Sequence, residues 1–513
     1  MVGEQSKGAK PGSLLTVSKK SDISLDAIGF FAQISNFGKK KHSLLIEFKD
    51  KTIGTADPAL VITGKGSEFK ITALTDNGKK ILQYVKGNFS FAEKVRYSKD
   101  TLSGIIPSQS KVITQEQIMK SRSHLDVMRS IVFAFKQLSE SEDGVAGLYG
   151  MVGYDLADPT QQMDATENSY IMYFVDNAFV IDHTSKESSF VTTAIITDNS
   201  KSVYDIADKK IKWYEKLAEK KLAKMPKAKQ KKAITSYDIE DTEYISAIKE
   251  IRKQIVHGSV IQLNPSRLVT IKVPAEPLSI YQETRSSTAG YSFYVSTEDS
   301  VFMGSQPSLQ LTVSNNGEKE VSLTTISTAR PRGYENGRID LDLDAKKEVR
   351  IWADENEMIE HLITIDASRN IVSEIAKAGT CHVEKMFAIE KQDQYQYMYA
   401  TVQGLLKDNY DALHALQVSL GISAGIPKQN AMSMLKSIER TKRGMFGGSF
   451  IHVHPDGTIK SMLLEPIQFK KDTLTFRTSV SVTHHGNYPT DMQKSQREED
   501  TVLNFVMKAG AQR

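Results

Sequence analysis

The sequence is poor in the features that mark secreted, membrane-spanning and disulfide-stabilised proteins. It contains a single cysteine, Cys381, so no disulfide can form within the chain. We therefore expect a reducing, cytoplasmic location. No apolar run reaches the length of a membrane span, and the first residues lack the apolar core of a signal peptide. We expect no membrane partner, and we interpret residues 1–24 as a disordered basic tail.

The chain also lacks a strong charge of either sign. Its 66 lysines and arginines face 62 aspartates and glutamates, which leaves a net charge of +4 over 513 residues. This small excess gives no reason to propose a nucleic-acid partner. The densest basic run lies within residues 205–237, which we interpret as a lysine-rich linker helix that forms a solvated bridge between lobes. A docking patch for an acidic partner is the alternative.

What the sequence does contain is a mixture of strand and helix patterns. Runs rich in β-branched and aromatic residues predict strands at 42–48, 58–64 and 169–183. Apolar residues at intervals of three and four predict helices at 124–140, 244–258 and 355–379. Strands in adjacent hairpins with helices between them indicate an α+β fold. We divide the chain into an N-terminal lobe and a second lobe on either side of the linker, at residues 25–204 and 238–509.

Six motifs follow one another over about three hundred residues. They are GLYGMVGYDLADP at 147–159, HGSVIQLNPSR at 257–267, ISTARPRG at 326–333, ENEMIEHLITIDASRN at 355–370, SAGIPK at 423–428 and RGMFGGSF at 443–450. In this order they resemble the large component of anthranilate synthase and, more widely, the chorismate-utilising enzymes. The resemblance implies two packed antiparallel β-sheets flanked by helices, with the active site in a cleft between lobes. It makes residues 238–509 a chorismate-binding-like domain.

The resemblance also implies a set of substrate-binding residues: Gln262, Ala329, Gly425 and Lys428. In SAGIPK, glycine permits close approach of the backbone, and Pro427 suits the first position of a helix whose N-terminus favours a carboxylate. Lys428 would add a full charge. The alternative is that the glycine and the proline only shape the entry to a helix. Gln262 stands where ammonia-using members of the family carry glutamine, which points to the aminating branch.

The family chemistry needs Mg²⁺, held by carboxylates from two helices. Glu357 and Glu360 are three residues apart and share one helical face, and their oxygens suit Mg²⁺. The second helix reads E-x-x-E-T in the family. Here Arg497 takes the place of its first acid and Asp500 the place of its second. Because a guanidinium repels a cation, Arg497 opposes a metal and would pair with Glu357 or Glu360 instead.

Several positions that the family uses for chemistry are changed, which leaves the catalytic residues unknown. Ser308 replaces the acid of S-P-E, Tyr397 replaces a histidine, and Glu465 replaces an arginine that binds a substrate carboxylate. Placing a carboxylate where a substrate carboxylate should bind adds repulsion to a lost ion pair, which costs about 2–5 kcal/mol. We therefore do not expect ordinary chorismate turnover.

Three hypotheses remain. The first is a biosynthetic enzyme that acts on chorismate or a related cyclic carboxylic acid with a rebuilt site, with a glutamine amidotransferase subunit as its ammonia source. The second is an inactive relative that binds a metabolite or regulates a partner synthase or amidotransferase, and the third is a structural subunit with a plugged cleft. A zinc site is a weaker alternative, formed by the two histidine pairs His452, His454, His484 and His485. Cys381 is interpreted as a small apolar residue rather than a nucleophile.

Overall fold

The computed structural model describes residues 10–107, 115–137, 144–157, 166–196, 201–221, 234–272, 276–285, 290–392, 395–484, 496 and 499–506. No helix within these ranges is long and apolar enough to cross a membrane. The helices are α1 (Ala27–Ile34), α2 (Asp76–Val85), α3 (Gln115–Lys120), α4 (His124–Val132), α5 (Lys201–Ala218), α6 (Asp241–Val256), α7 (Pro277–Thr284), α8 (Leu341–Ala353), α9 (Glu355–Ile375), α10 (Ala412–Ser419) and α11 (Lys428–Ile438). Residues 499–506 are also helical.

The strands of the N-terminal half are β1 (Ser13–Lys20), β2 (Ser43–Glu47), β3 (Lys51–Thr55), β4 (Leu60–Lys65), β5 (Glu68–Ala73), β6 (Glu93–Tyr97), β7 (Thr101–Ile105), β8 (Lys136–Gln137), β9 (Gly147–Val152), β10 (Tyr170–Val175), β11 (Asn177–Asp182), β12 (Ser188–Ile195) and β13 (Ile234–Tyr237). Those that follow are β14 (Gln262–Leu263), β15 (Ser266–Lys272), β16 (Tyr291–Ser296), β17 (Val301–Gln306), β18 (Leu311–Asn315), β19 (Lys319–Pro331), β20 (Tyr334–Glu335), β21 (Arg338–Ile339), β22 (His382–Lys391), β23 (Tyr395–Leu405), β24 (Gly425–Ile426), β25 (Gly448–Val453), β26 (Ile459–Leu464), β27 (Ile467–Lys470), β28 (Thr473–Ser479) and β29 (Val482–Thr483).

Two 12-stranded sheets form the centre of the fold. The first has the order β13-β15-β28-β27-β17-β16-β2-β3-β11-β12-β1-β8, and the second β22-β23-β19-β18-β26-β25-β9-β10-β4-β5-β7-β6. Their pairings are antiparallel except for β1 with β8, which is parallel. The α+β class and the two large antiparallel sheets predicted from the sequence are therefore confirmed. Each sheet contains strands from both sides of the predicted linker, so the two lobes share both sheets.

The two sheets pack face to face through one apolar layer. Phe293 of the first sheet stacks on Phe450 of the second, with ring centroids 4.7 Å apart. Leu44 and Ile46 from β2 meet Met151 from β9 in the same buried cluster. Because side chains alternate across a strand, each sheet also presents an outer apolar face, and the helices cover it. Helices α1, α5 and α7 contribute to the cluster outside the first sheet, and α4, α9 and α10 to the cluster outside the second.

The predicted tail and linker need correction. Residues 1–24 were predicted to be disordered, but Ser13–Lys20 forms β1, which pairs with β12 along its length. The linker helix was predicted over 205–237 as a solvated bridge. The helix instead spans Lys201–Ala218, and its Ile211 and Tyr214 are buried against the first sheet. The lysines occupy its other positions, so a charged composition hid an amphipathic helix. Residues 222–233 lie outside the described ranges.

An arginine connects the N-terminal half to a helix of the C-terminal half. Arg129 on α4 donates from Nε and Nη2 to the two carboxylate oxygens of Asp411, at 2.6 and 3.1 Å, and also pairs with Asp126. Asp411 caps the N-terminus of α10 through the backbone amide of Leu413. The bidentate geometry and partial burial make this pair stronger than an exposed ion pair.

We predict that Arg129→Met lowers the free energy of unfolding by about 1–3 kcal/mol, because it removes the guanidinium from the partly buried Asp411, which keeps only His414 and the backbone amides of α10 as partners. Urea denaturation measures this change. Lys253→Met is the matched control, since the Lys253–Glu250 pair is exposed and its loss should cost less than about 0.5 kcal/mol. Equal effects of the two substitutions would contradict the assigned role of Arg129.

Asp176, between β10 and β11, is a buried carboxyl group that forms no ion pair with any residue in the described ranges. Asp176 is 4% exposed and accepts from Nδ2 of Asn77 at 2.6 Å and from Nδ2 of Asn177 at 2.8 Å. Burial raises the pKa of Asp176 to about 6, and the two amide hydrogen bonds act in the opposite direction. Between its unfolded pKa and pH 6 the folded protein therefore binds more protons than the unfolded chain, and this group makes stability fall as the pH rises.

We predict that Asp176→Asn changes stability in a pH-dependent way. Asparagine does not titrate, so the free energy of unfolding of the variant relative to the wild type should be higher at pH 7 than at pH 4. A two-unit shift corresponds to about 3 kcal/mol at most. Chemical denaturation of both proteins at both pH values measures the difference. A destabilisation by the asparagine amide that does not depend on pH cancels when the two pH values are compared. A difference that does not change with pH would contradict the raised pKa.

Candidate active site

A cleft of about 1810 Å³ opens where strands pass between the two sheets. Residues 307–310 carry the chain from β17 in the first sheet to β18 in the second, and residues 465–466 carry it back from β26 to β27. Backbone ends and polar side chains therefore gather at one place between the sheets. Eight of the residues predicted from the sequence line this cleft: Gln262, Ser308, Ala329, Glu357, Glu360, Tyr397, Gly425 and Glu465.

Glu465 lies where the two crossover segments touch. Nε2 of Gln306 donates to Oε2 of Glu465 at 3.0 Å. The carboxylate is open to water in the cleft, yet protein surrounds it closely. Loss of hydration raises the pKa of Glu465, and the hydrogen bond from Gln306 partly opposes that rise. No lysine, arginine or histidine among the described residues forms an ion pair with Glu465, so the predicted exchange of charge at this position leaves an uncompensated carboxylate.

The acidic helix α9 is formed as predicted, and its first turn faces the cleft. Asp354 caps its N-terminus through the amide of Glu357, at 3.3 Å. The Glu357 side chain is 8% exposed and accepts from Nη2 of Arg330 on β19 at 2.7 Å. Glu360 accepts from the hydroxyl of Thr483 at 2.9 Å. The internal ion bridge that the sequence suggested for Arg497 is thus made to Glu357 by Arg330. Arg497 itself lies outside the described residues.

The last helix brings no described carboxylate to this site. Asp500 is exposed and is not among the residues that line the cleft. Glu499 is buried, and its carboxylate pairs with Nη2 of Arg267 at 3.3 Å and accepts from the hydroxyl of Tyr237. It therefore holds the helix against β15 and β13. Of the described residues 499–501, Thr501 lines the cleft.

The two carboxylates of α9 that were predicted to hold Mg²⁺ are both engaged by protein donors. Mg²⁺ binding by protein side chains uses oxygen donors that are free to approach the ion in octahedral geometry. Here Glu357 is neutralised by Arg330, and within the described ranges no group of three or more histidine, cysteine, aspartate or glutamate side chains could hold a metal. Two carboxylates remain, and one is already engaged by a cation.

Gly425 and Gln262 belong to a small three-stranded sheet beside the cleft. β24 pairs with β14, and β14 pairs with β29. The φ of Gly425 is +139°, and a Cβ there would lie 2.2 Å from the carbonyl oxygen of Gln262. Glycine is therefore required at this position because the backbones of β24 and β14 approach each other closely. The predicted close approach is thus between two strands of the protein. Nε2 of Gln262 donates to Asn264 at 3.2 Å and to Ser481 at 2.8 Å.

Lys428 is the predicted substrate-binding residue that does not line the cleft. Helix α11 begins at Lys428, and Pro427 precedes it as the cap residue instead of occupying the first helical position. Nζ of Lys428 donates to the carbonyl oxygen of Val418 at 3.0 Å, next to the C-terminus of α10. The charge therefore stabilises a helix end in this structure.

Aromatic side chains from β23 line the cleft that Ser308 also lines. Tyr395 and Tyr397 both face the cleft, with ring centroids 6.3 Å apart. Burial raises the pKa of Tyr397 to about 12, with Tyr395 and Glu390 acting in the same direction, so its phenol stays protonated at neutral pH. Tyr397 can donate a hydrogen bond but cannot replace a titrating histidine. Ser308 supplies a hydroxyl to the same cleft.

The cations of the cleft were assigned no contacts from the sequence. They are Arg285, Arg330, Lys347, Arg350 and Arg477. Four of them are committed to protein partners: Arg330 to Glu357, Arg285 to Glu47 at 3.3 Å, Lys347 to the carbonyl of Arg332 at 2.7 Å, and Arg477 to Ser266 at 3.0 Å. Arg350, in the last turn of α8, forms no ion pair with any residue the structure describes. Its sequence position, at the end of the helix that precedes the acidic helix α9, is the signal by which Arg350 could have been proposed as a cleft residue.

The zinc alternative is not supported by the geometry of the described histidines. His452 is stacked on Tyr149 with centroids 4.0 Å apart, and burial lowers its pKa well below the usual value. His484 follows β29 in the small sheet, whereas His452 and His454 are on or beside β25 in the second large sheet. His485 lies outside the described residues. Cys381 is partly buried and donates weakly from Sγ to the carbonyl oxygen of Arg369, at 3.7 Å.

Comparison with known proteins agrees with this architecture. A family model described as chorismate binding enzyme matches residues 90–487. The chain belongs to the chorismate-binding enzyme family. This chorismate-binding enzyme homologue is 25% identical over 516 residues to anthranilate synthase component 1 of Buchnera aphidicola subsp. Rhopalosiphum maidis, with 98% of this chain and 99% of the relative covered. It is 27% identical over 491 residues to anthranilate synthase component 1 of Vibrio parahaemolyticus, with 92% and 90% covered.

Solved structures of chorismate-utilising proteins share its fold. Anthranilate synthase component I from Streptococcus pneumoniae superposes with a TM-score of 0.65 at 17% identity, over 89% of this chain and 92% of that one. The menaquinone-specific isochorismate synthase of Escherichia coli superposes with a TM-score of 0.64 at 10% identity, over 98% and 97%. The resemblance inferred from the six motifs, and the fold it implied, are confirmed.

We predict that Mg²⁺ does not bind saturably to this member of the family at millimolar concentration. Isothermal titration calorimetry measures binding, with NaCl of equal ionic strength as the control. The reason is that Arg330 occupies the Glu357 carboxylate, so a metal would have to displace a charge-assisted hydrogen bond. Saturable Mg²⁺ binding that disappears in Glu357→Gln and in Glu360→Gln would show that the two carboxylates hold a metal after all.

Proposed function

We propose that the protein is a biosynthetic enzyme that binds a cyclic carboxylic acid in the cleft and acts on it with a rebuilt active site. The observation that supports this proposal is the cleft itself. About 1810 Å³ remains open between the crossover segments, and its lining offers carboxylates, arginines, amides and phenols within one concave surface. Such a surface is the default place for a ligand. A structural subunit whose cleft is plugged by side chains fits this volume poorly.

The chemistry proposed is an elimination or amination of the lyase type, on chorismate or a related acid, without the family's ordinary mechanism. Ser308 is a poor acid at neutral pH, and Glu357 is held by Arg330. Burial raises the pKa of the Glu465 carboxyl, so this carboxylate is suited to accept a proton from a substrate in the cleft. Tyr397 can donate a hydrogen bond to an oxygen of the substrate.

Ammonia for such an amination would come from a glutamine amidotransferase partner. Two observations support this part of the proposal. Gln262 lines the cleft at the position where ammonia-using family members carry glutamine, and the relatives cited above are each named component 1 of a synthase. We expect both subunits to work in the cytoplasm.

The second candidate is an inactive relative that binds a metabolite and regulates a partner synthase or amidotransferase. The observation that favours it is the state of the inherited metal helix, where Arg330 satisfies the buried Glu357 in the absence of a ligand. Both candidates require ligand binding in the cleft. They differ in whether a product forms.

We predict that at least one member of a panel of cyclic carboxylic acids raises the thermal midpoint of the protein. A ligand at one hundred times its dissociation constant stabilises the folded state by about 2.7 kcal/mol. Ala329→Trp should abolish the shift, because Ala329 is exposed on the cleft wall and an indole there fills the space. Val349→Trp is the matched control, since Val349 is 64% exposed on α8 and does not line the cleft.

Product analysis separates the two candidates. The protein is incubated with chorismate and with each acid that binds, with and without ammonium, and products are identified by mass spectrometry. A new product that requires the protein, and that is lost in Glu465→Gln, supports the enzyme. Binding without any product supports the regulator. Anthranilate and pyruvate released from chorismate at an ordinary rate with Mg²⁺ would contradict the rebuilt site.

A further inference from the structure

We propose that Glu465 recognises a protonated amino group on the ligand, so that the cleft takes a cyclic amino acid rather than a cyclic dicarboxylate. The inference rests on the proposed function in one respect, namely that a cyclic acid binds in this cleft. It adds the chemical class of that acid and the residue that selects it.

The first step is the position of the carboxylate. Glu465 begins the crossover from β26 to β27, and its neighbour Gln306 ends β17. The hydrogen bond from Gln306 uses Oε2 of Glu465, and no described residue donates to Oε1. One carboxylate oxygen is thus held by the protein, and the other receives no hydrogen bond from a described residue although Glu465 lines the cleft, so it can accept from a donor on a ligand.

The second step is the missing counter-charge. A carboxylate that has lost part of its hydration needs a cation or several hydrogen-bond donors. Three cations that line the same cleft are engaged by other groups: Arg285 pairs with Glu47, Arg330 pairs with Glu357, and Arg477 donates to Ser266 and to the carbonyl oxygen of Thr441. Loss of hydration raises the pKa of the Glu465 carboxyl, and a nearby cation would offset that cost. An ammonium group on a ligand would supply the charge that the described residues do not.

The third step is the opposite end of the ligand. Arg350 lines the same cleft and forms no ion pair within the described part of the chain, and Arg330 uses only Nη2 for its two carboxylate contacts. These guanidinium groups can accept a carboxylate from a ligand. The cleft thus has an uncompensated anion at the crossover and available cation donors on α8 and β19. A ligand that carries both an ammonium and a carboxylate matches this pattern, whereas a dicarboxylate meets repulsion at Glu465.

The test uses two ligands that differ only in the charged group. They are cis-3-aminocyclohexanecarboxylate and cis-cyclohexane-1,3-dicarboxylate, and calorimetry measures their affinity for the full-length protein. We expect the wild type to bind the amino acid about tenfold or more tightly than the dicarboxylate. Glu465→Gln should lower the affinity for the amino acid about tenfold or more, because it removes the charge and keeps the shape and a partner for Gln306. Glu465→Arg should reverse the preference.

A shape-matched control excludes a general loss of structure. Ser308→Ala changes a neutral cleft residue and should leave the ratio of the two affinities unchanged, and thermal midpoints show whether each variant is folded. Equal or tighter binding of the dicarboxylate by the wild type would overturn the inference. So would a ratio that stays the same in Glu465→Gln, or binding of neither ligand. In those cases the panel tested with Ala329→Trp decides separately whether a cyclic acid binds at all.

Discussion

The contact between two crossover segments governs the character of this cleft. Each large sheet is built from strands of both halves of the chain, and the polypeptide passes between the sheets several times, including at residues 307–310 and 465–466 beside the cleft. Gln306, which precedes the first of these two passages, donates a hydrogen bond of 3.0 Å to Glu465, which begins the second. It fixes a carboxylate where the backbone leaves one sheet for the other. The position of Glu465 is therefore set by the topology, while its lack of a cation is set by the partners that neighbouring arginines have taken.

The same competition for partners explains the inherited metal helix. The Glu357 side chain is buried, and Arg330 supplies its counter-charge at 2.7 Å. Glu499, the neighbour of Asp500 in the last helix, pairs with the buried Arg267. Of these two ion pairs, the one between Arg330 and Glu357 engages a carboxylate that was predicted to hold a divalent cation. Within the described part of the cleft, Arg330 thus balances the charge of Glu357 on the acidic helix, whereas no described cation pairs with Glu465 at the crossover.

Sequence patterns predicted many of the helices and strands, because periodicity and local motifs are short-range properties. The strands around residues 42–48 and 169–183 and the helix that begins at Glu355 formed where expected, and eight predicted residues meet in one cleft. The hydrogen-bond partners of individual side chains and the pairing of strands could not be predicted, since both depend on segments that are distant in sequence. Lys428 bonds to a carbonyl oxygen on the neighbouring helix α10, and β1 forms because β12 offers an edge far along the chain. The prediction of a solvated helix at α5 was also wrong, because its many lysines obscured the apolar residues that the helix buries.

The central claim is that charge has been rearranged so that the cleft selects an amino group and does not use a metal. The most direct measurement is a crystal structure of the protein soaked with cis-3-aminocyclohexanecarboxylate and Mg²⁺ together. The account predicts the ammonium within about 3 Å of Oε1 of Glu465 and Arg330 still paired with Glu357. A magnesium ion bound between Glu357 and Glu360, with the carboxylate of the ligand directed at residue 465, would contradict it.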